Sequence, residues 1–455
     1  SHMPVSPRKA DAHTFACETY SSLNSHDMLN HGKWLFLCAA VLTLHACDKD
    51  GDAVLPEAEF TLTIENIIPA TDHLHSGTTG FLAPGESESF SFDAGRGTYL
   101  SFATMFVQSN DLFYAFGPDG LALYDASGTA RTGDVTADVD LWDAGTEVNE
   151  EPGTGPNQAP RQSGPDTGVD ENGNVVLVAD SGDGFAYPED EEVIRVSLAH
   201  NGGTTFTVTI DNISNSGSFA TPLAPGVWAV HGEATSLFNS GEPAPAGLEG
   251  LAEDGTNQML FDILAASTGY TSPLAPGVWV VHSSTITPLF DNGDTDRGLG
   301  LEALAEDGDP GPLATSIDGL AGTTSSGIFN TPAGSSSPGP APPGGSYSVT
   351  FTARDGDALS FATMLVHTND LFFSPGENGI PLFSNGVART GDITSMVMLW
   401  DAGTEVNEYP GAGNNQPARG GPDTGDDENG AVRVVDDNFS YPAVSQMVRI
   451  SLSIR

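Results

Sequence analysis

LSFATMFVQSNDLF, residues 100–113, recurs as LSFATMLVHTNDLF, residues 359–372. Each copy is followed by the same phrase, LWDAGTEVNE, at 141–150 and again at 399–408. Short apolar runs with period-two alternation surround both, punctuated by Gly, Pro and Asn. Such runs read as strands of a sandwich. FTLTIEN (60–66) opens the first copy and YPEDEEVIRVSLAH (187–200) closes it. FTVTIDN (206–212) and YPAVSQMVRISLSIR (441–455) do the same for the second. The reading is an all-β protein: two tandem antiparallel β-sandwich domains, with short helices in loops and a large insertion in the second.

The boundaries follow from the repeats. The first sandwich is placed at 59–200, in shortened form, and the second at 204–455. The insertion, about 216–340, is itself duplicated: TPLAPGVWAVH (221–231) returns as SPLAPGVWVVH (272–282), and GLEGLAEDG (247–255) as GLEALAEDG (300–308). The latter segment predicts a short helix with a glycine stop. VTADVDLW (135–142) puts Val135, Ala137, Val139 and Leu141 on one face and Asp138 and Asp140 on the other. The matching strand has Met396 and Met398 at the wet positions, so the insertion or the neighbouring domain is expected to cover both.

The chain's 455 residues carry a formal net charge of −46. That balance argues against nucleic acid as a partner, because phosphate binding needs a basic surface. It fits a salty environment, or many carboxylates that await divalent cations. Residues 28–47, MLNHGKWLFLCAAVLTLHAC, read as a lipoprotein-type signal peptide ending at a lipobox cysteine, Cys47, the expected lipidation site. Residues 48–58 read as a linker, and Asp48, Asp50, Asp52 and Glu59 only mimic an EF-hand, since Ala53 stands where glycine is required. Cys47 is the last of three cysteines, so the exported domains lack a disulfide and need rigidity from elsewhere. The expected location is the cell envelope, as a lipoprotein, or the extracellular space.

FATMFVQSNDLF, LWDAGTEVNE and the terminal YP…RVSL resemble the bacterial branch of the N-terminal spondin domain family, F-spondin and mindin-like, in two tandem copies. The resemblance implies an antiparallel β-sandwich, related to calcium-dependent lipid-binding domains, with Ca2+ bound at one end. Carried over motif by motif, the implied metal ligands are Asp111, Asp143 and Glu147, then Asp370, Asp401 and Glu405. The residues support this independently. Ca2+ takes six to eight hard oxygens, carboxylates prominent among them. Three bare carboxylates at ~4 Å would repel by roughly 4 kcal/mol per pair at an effective dielectric of ~20.

The implied role is cell-surface binding or adhesion toward an unidentified glycan or protein, with membrane contact only through a lipid anchor and with self-association as a further possibility. A second reading is a calcium-dependent carbohydrate-binding module, with Phe113, Tyr114, Phe372 or Phe373 stacking on sugar. A third is a structural surface or filament component. No GxSxG, HExxH, CxxC or Gly-rich phosphate loop appears, which leaves no positive case for an enzyme. Two repeated polar loops, 155–173 and 413–430, carry Asn157, Gln158 and Arg161, then Asn415, Gln416 and Arg419. The arginines are expected to pair with nearby acids. His231 and His282 end matching strands and read as structural. DNGDTDRG (291–298) reads as a surface turn.

Overall fold

The computed structural model describes residues 55–455 apart from position 234. The signal peptide, Cys47 and the EF-hand-like aspartates lie outside the described residues. Strands hold 35% of the residues and helices 13%, which establishes an all-β fold. Apart from a two-stranded ribbon, Phe383–Ser384 with Val387–Ala388, the strands form two sandwiches of the same plan, each a four-stranded sheet packed on a seven-stranded one, with antiparallel ladders.

The alternation in the opening strands decides their packing. In Glu57–Asn66, Phe60, Leu62, Ile64 and Asn66 are buried and the residues between them are not. Thr205–Asn212 does the same with Phe206, Val208, Ile210 and Asn212. Yet each strand joins the other copy's sandwich. Glu57–Asn66 lies between Ser346–Arg354 and Val448–Ile454, with Phe60 opposite Phe351 and Ile64 opposite Ile450. Thr205–Asn212 lies between Ser87–Asp93 and Ile194–His200, with Phe206 opposite Phe92 and Ile210 opposite Val196.

The division at 200–204 is therefore corrected. One sandwich, here the inner, runs from His73 to about residue 268. It is nested in the outer one, which takes Glu57–Asn66 and then 272–455. The duplicated segment is likewise shared out. Val227–Gly232 pairs with His73–Thr78 and Thr98–Met105 in the inner sandwich. Leu274–Ser283 pairs with Thr323–Phe329 and Asp357–Leu365 in the outer. Neither sandwich is shortened; the inner is a circular permutation of the outer. The reason lies in the pattern: both opening strands carry the same inward triplet, so alternation cannot say which partner sheet each one joins.

The outward face of each large sheet is covered by two short helices. Leu248, Leu251, Leu260 and Leu264 pack on Phe113, Trp142 and Val227 in the inner sandwich. Leu301, Leu304, Leu313 and Ile317 pack on Val278, Phe372 and Trp400 in the outer. The helices Leu248–Asp254 and Leu301–Asp307 stop at Gly255 and Gly308, at φ 65° and 68°, as the glycine stop predicts. The central strands of the large sheets, Thr98–Met105 with Leu112–Phe116 and Asp357–Leu365 with Leu371–Pro375, are thus buried on both faces.

Met398 is half-buried under the outer helices, as expected of a covered position. Met396 is half-buried too, but against the core between the sheets. It belongs to a single 3-10 turn, Thr394–Met396, as Asp138 belongs to Thr136–Asp138. The turn interrupts the alternation, which is why Ala137 is exposed while Val135 and Val139 are buried.

Candidate metal centre

Strand register brings the first two acids together. Leu112 pairs with Asp143, so Asp111 begins where Asp143 ends. The chain then turns tightly. Gly145, at φ 68°, donates its N–H to Asp143 Oδ1 at 2.7 Å. Thr146 and Glu147 then donate theirs to Asp111 Oδ2, both at 3.0 Å. The outer sandwich repeats the arrangement: Leu371 pairs with Asp401, and Gly403 donates to Asp401 Oδ1 at 2.7 Å. Thr404 and Glu405 donate to Asp370 Oδ2 at 2.8 and 3.2 Å. The DAGTE phrase is thus a loop folded around the ND aspartate. Asn149 and Asn407 add amide donors to Asp143 Oδ2 (2.6 Å) and Asp401 Oδ2 (3.1 Å).

One oxygen of each central residue is left over. Asp111 Oδ1, Glu147 Oε2 and Asn149 Oδ1 are buried without a hydrogen-bond partner. So are their counterparts Asp370 Oδ1, Glu405 Oε1 and Asn407 Oδ1. Buried acceptors almost always find a donor, so the same three orphans in two copies call for a common cause.

The carboxylates are costly where they stand. Burial, with Asp143 beside it, pushes Asp111 well above the usual range. Burial, with Asp401 beside it, pushes Asp370 up to about 7. Burial also raises Asp143, Glu147 and Asp401, and takes Glu405 up to about 7.

The expected triad is redistributed. Asp111 abuts Asp143 and is tied to the backbone of Glu147. The carboxylate of Glu147, however, meets Asp166 and Glu253, and these three bring oxygens within 4.8 Å of one another. Among the described residues that is the one acidic trio so close, so Asp111, Asp143 and Glu147 do not form such a trio, nor do Asp370, Asp401 and Glu405. Glu253 is 3% exposed on the helix Leu248–Asp254 and is pushed by burial up to about 7. Glu306, its counterpart on Leu301–Asp307, is also pushed up to about 7 by burial. Sequence reasoning missed both, and missed Asp166. The recurrence of LAEDG and of GPDTG was the available signal. GPDTG also ends on a glycine that lies against the acid: Gly168 donates to Glu147 Oε1 at 2.7 Å, and a Cβ at Gly168 or Gly425 would displace the carboxylate of Glu147 or Glu405.

Of the other expected features, the aromatics and the loop arginines differ from expectation and the two histidines follow it. Phe113, Tyr114, Phe372 and Phe373 are each 0% exposed, so none offers a face to a sugar. Among the described residues, Arg161 and Arg419 form no ion pair with an acid. Arg161 Nε donates to the carbonyl of Gly155 at 2.8 Å, and Arg419 Nε reaches across the sandwiches to the carbonyl of Arg96 at 3.1 Å. Asn157 and Asn415 brace their loops on Glu150 and Glu408. His231 and His282 are structural: Nε2 meets Ser101 and Ser360, while Nδ1 meets the carbonyls of Gly232 and Ser283. In the 291–298 turn, Asp291 is held by Arg297.

Compared with known proteins, the chain matches no family model and no curated protein.

Proposed function

We propose that each sandwich holds one hard divalent cation, Ca2+ before others, and that the chain is an exported, non-enzymatic binding or adhesion protein of the cell surface. The observation that carries the first half is the matched set of orphan oxygens on Asp111, Glu147 and Asn149 and on Asp370, Glu405 and Asn407. A cation would give each of them a partner and would remove the repulsion between the clustered carboxylates. The donors are carboxylate and amide oxygens, with no histidine or cysteine among them, a set that suits Ca2+ or Mg2+ rather than zinc or copper. Asp111, Asp143 and Glu147, joined by Asp166 and Glu253, would hold the inner ion. Asp370, Asp401 and Glu405, joined by Glu306, would hold the outer one.

The second half rests on the spondin resemblance and on the signal-peptide reading. Buried aromatics at 113, 114, 372 and 373 withdraw the stacking platform on which a carbohydrate module would depend, so a protein or glycan ligand would have to be met at the cation-bearing loops themselves.

The test is thermal unfolding of the whole chain in excess Ca2+ and in excess chelator. At a hundredfold excess over its dissociation constant each ion would add about 2.7 kcal/mol. Identical melting curves would sink the cation reading.

A further inference from the structure

We infer that the two cation sites are unequal: the inner one is built to take the tighter ion, and the outer one carries its own counter-charge in Arg433. This rests on the cation reading above and concerns how the two copies divide the work.

The difference sits at one cross-strand position. Asp143 faces Val176 in the ladder, whereas Asp401 faces Arg433. Arg433 Nη2 lies 2.8 Å from Asp401 Oδ2 and 2.9 Å from Glu428 Oε1. The guanidinium thus offsets half of the charge on the strand-end aspartate and the acid behind it. The inner counterpart of Glu428 is Glu171, and there the apolar Val176 leaves Glu171 and Asp143 as like charges with no cation between them. Among the described residues, no arginine or lysine forms an ion pair with Asp111, Asp143, Glu147, Asp166, Glu171 or Glu253.

The arrangement of the neighbouring acids agrees. The close trio of Glu147, Asp166 and Glu253 exists in the inner sandwich alone among the described residues. In the outer one the backbone N–H of Asp423, the counterpart of Asp166, is tied to Asp307 Oδ1 at 3.2 Å. Buried oxygens without a partner are common to both sites, on Asp111 and Glu147 and on Asp370 and Glu405, so the difference between them lies in Arg433 and in this acidic trio. A dication entering the outer site must share Asp401 with a fixed positive charge or displace it. One entering the inner site meets carboxylates that, among the described residues, are paired with no basic side chain. A fixed like charge at this range is expected to separate the two affinities by about tenfold or more.

The experiment is calorimetric titration of Ca2+ into the chelator-stripped full chain, with Arg433→Val and Val176→Arg run beside it after circular dichroism has shown both folded. Two steps are expected, tenfold or more apart. Arg433→Val should tighten the weaker step and close the gap, because it reproduces a pairing the inner site already tolerates. Val176→Arg should weaken the tighter step by tenfold or more. Two equal steps in the wild type, or a gap that Arg433→Val leaves unchanged, would overturn the inequality while leaving the cation reading in place. No binding at either site would overturn both.

Discussion

His73 and Thr268 pair in a parallel bridge, so the chain enters and leaves the inner sandwich side by side. The N–H groups of Asp72 and His73 donate to the carbonyl of Ser267 at 3.0 and 3.1 Å, and Gly269 returns a bond to the carbonyl of His73 at 2.9 Å. An inserted unit with adjacent ends can in principle fold alone. A fragment spanning residues 70–268 is expected to unfold cooperatively and to keep its cation response. A fragment spanning 59–200 lacks Thr205–Asn212, Val227–Gly232 and the covering helices, and is expected to show no cooperative melt. A cooperative melt for 59–200 would contradict the nested arrangement.

Asn66 and Asn212 end the two exchanged strands, and each ties its strand to the segment that follows the crossing. Asn66 Nδ2 donates to the carbonyls of Ser272 and Ala341 at 2.9 and 3.1 Å. Asn212 Nδ2 donates to those of Leu82 and Thr221 at 2.9 and 2.8 Å. Each Oδ1 also accepts a backbone N–H, from Ile68 and from Ser214, both at 3.1 Å. Alanine at 66 strands the Ile68 N–H and the Ser272 carbonyl, and alanine at 212 strands the Ser214 N–H, while the carbonyls of Ala341, Leu82 and Thr221 keep other donors; either change is expected to cost about 1–3 kcal/mol by chemical denaturation. A loss under about 0.5 kcal/mol, the range of an ordinary surface change, would show that these anchors are dispensable.

Glu253→Gln should act in opposite directions with and without Ca2+. Burial already penalises this carboxylate, so its removal is expected to raise the melting temperature of the metal-free chain. The same change removes a charged donor and should weaken the inner site by about tenfold, near 1.4 kcal/mol. A parallel shift of both curves would mean that Glu253 faces no cation.

Asp190 stands apart from the centre and is pushed up to about 7 by burial and by Asp140 beside it. A raised carboxyl holds its proton more tightly when folded. Its contribution is therefore complete below about pH 4 and is lost as pH rises through about 7. Asp190→Asn is expected to flatten the fall in metal-free stability across that window. His73 works against this slope: burial lowers its pKa, so its share of stability is present above about pH 6.5 and is lost as the solution becomes more acid. An Asp190→Asn variant with the wild-type slope would remove Asp190 from the account.

Much of the fold was legible because the signal is local. Phe60, Leu62 and Ile64 announce a half-buried strand by alternation alone, and LAEDG announces a helix and its glycine stop. The identity of each strand's partner is not local. Phe60 and Phe206 occupy equivalent places in equivalent patterns, and their exchange shows only in the pairing: Phe206 with Phe92 and His200, Phe60 with Phe351 and Ile454. The site divides the same way. Asp111, Asp143 and Glu147 stand near one another in a recurring phrase, whereas Glu253 arrives from a helix more than a hundred residues away, and Arg433 is informative only once its cross-strand neighbour is known.

Equilibrium dialysis with labelled calcium, comparing the full chain with an Asp111→Asn, Asp370→Asn double variant, tests the central claim most directly. Both aspartates are fully buried and each receives two backbone N–H groups while keeping one free oxygen. The account predicts two ions per wild-type chain at physiological ionic strength and none held specifically by the double variant. Equal calcium on both, or none on either, would contradict it.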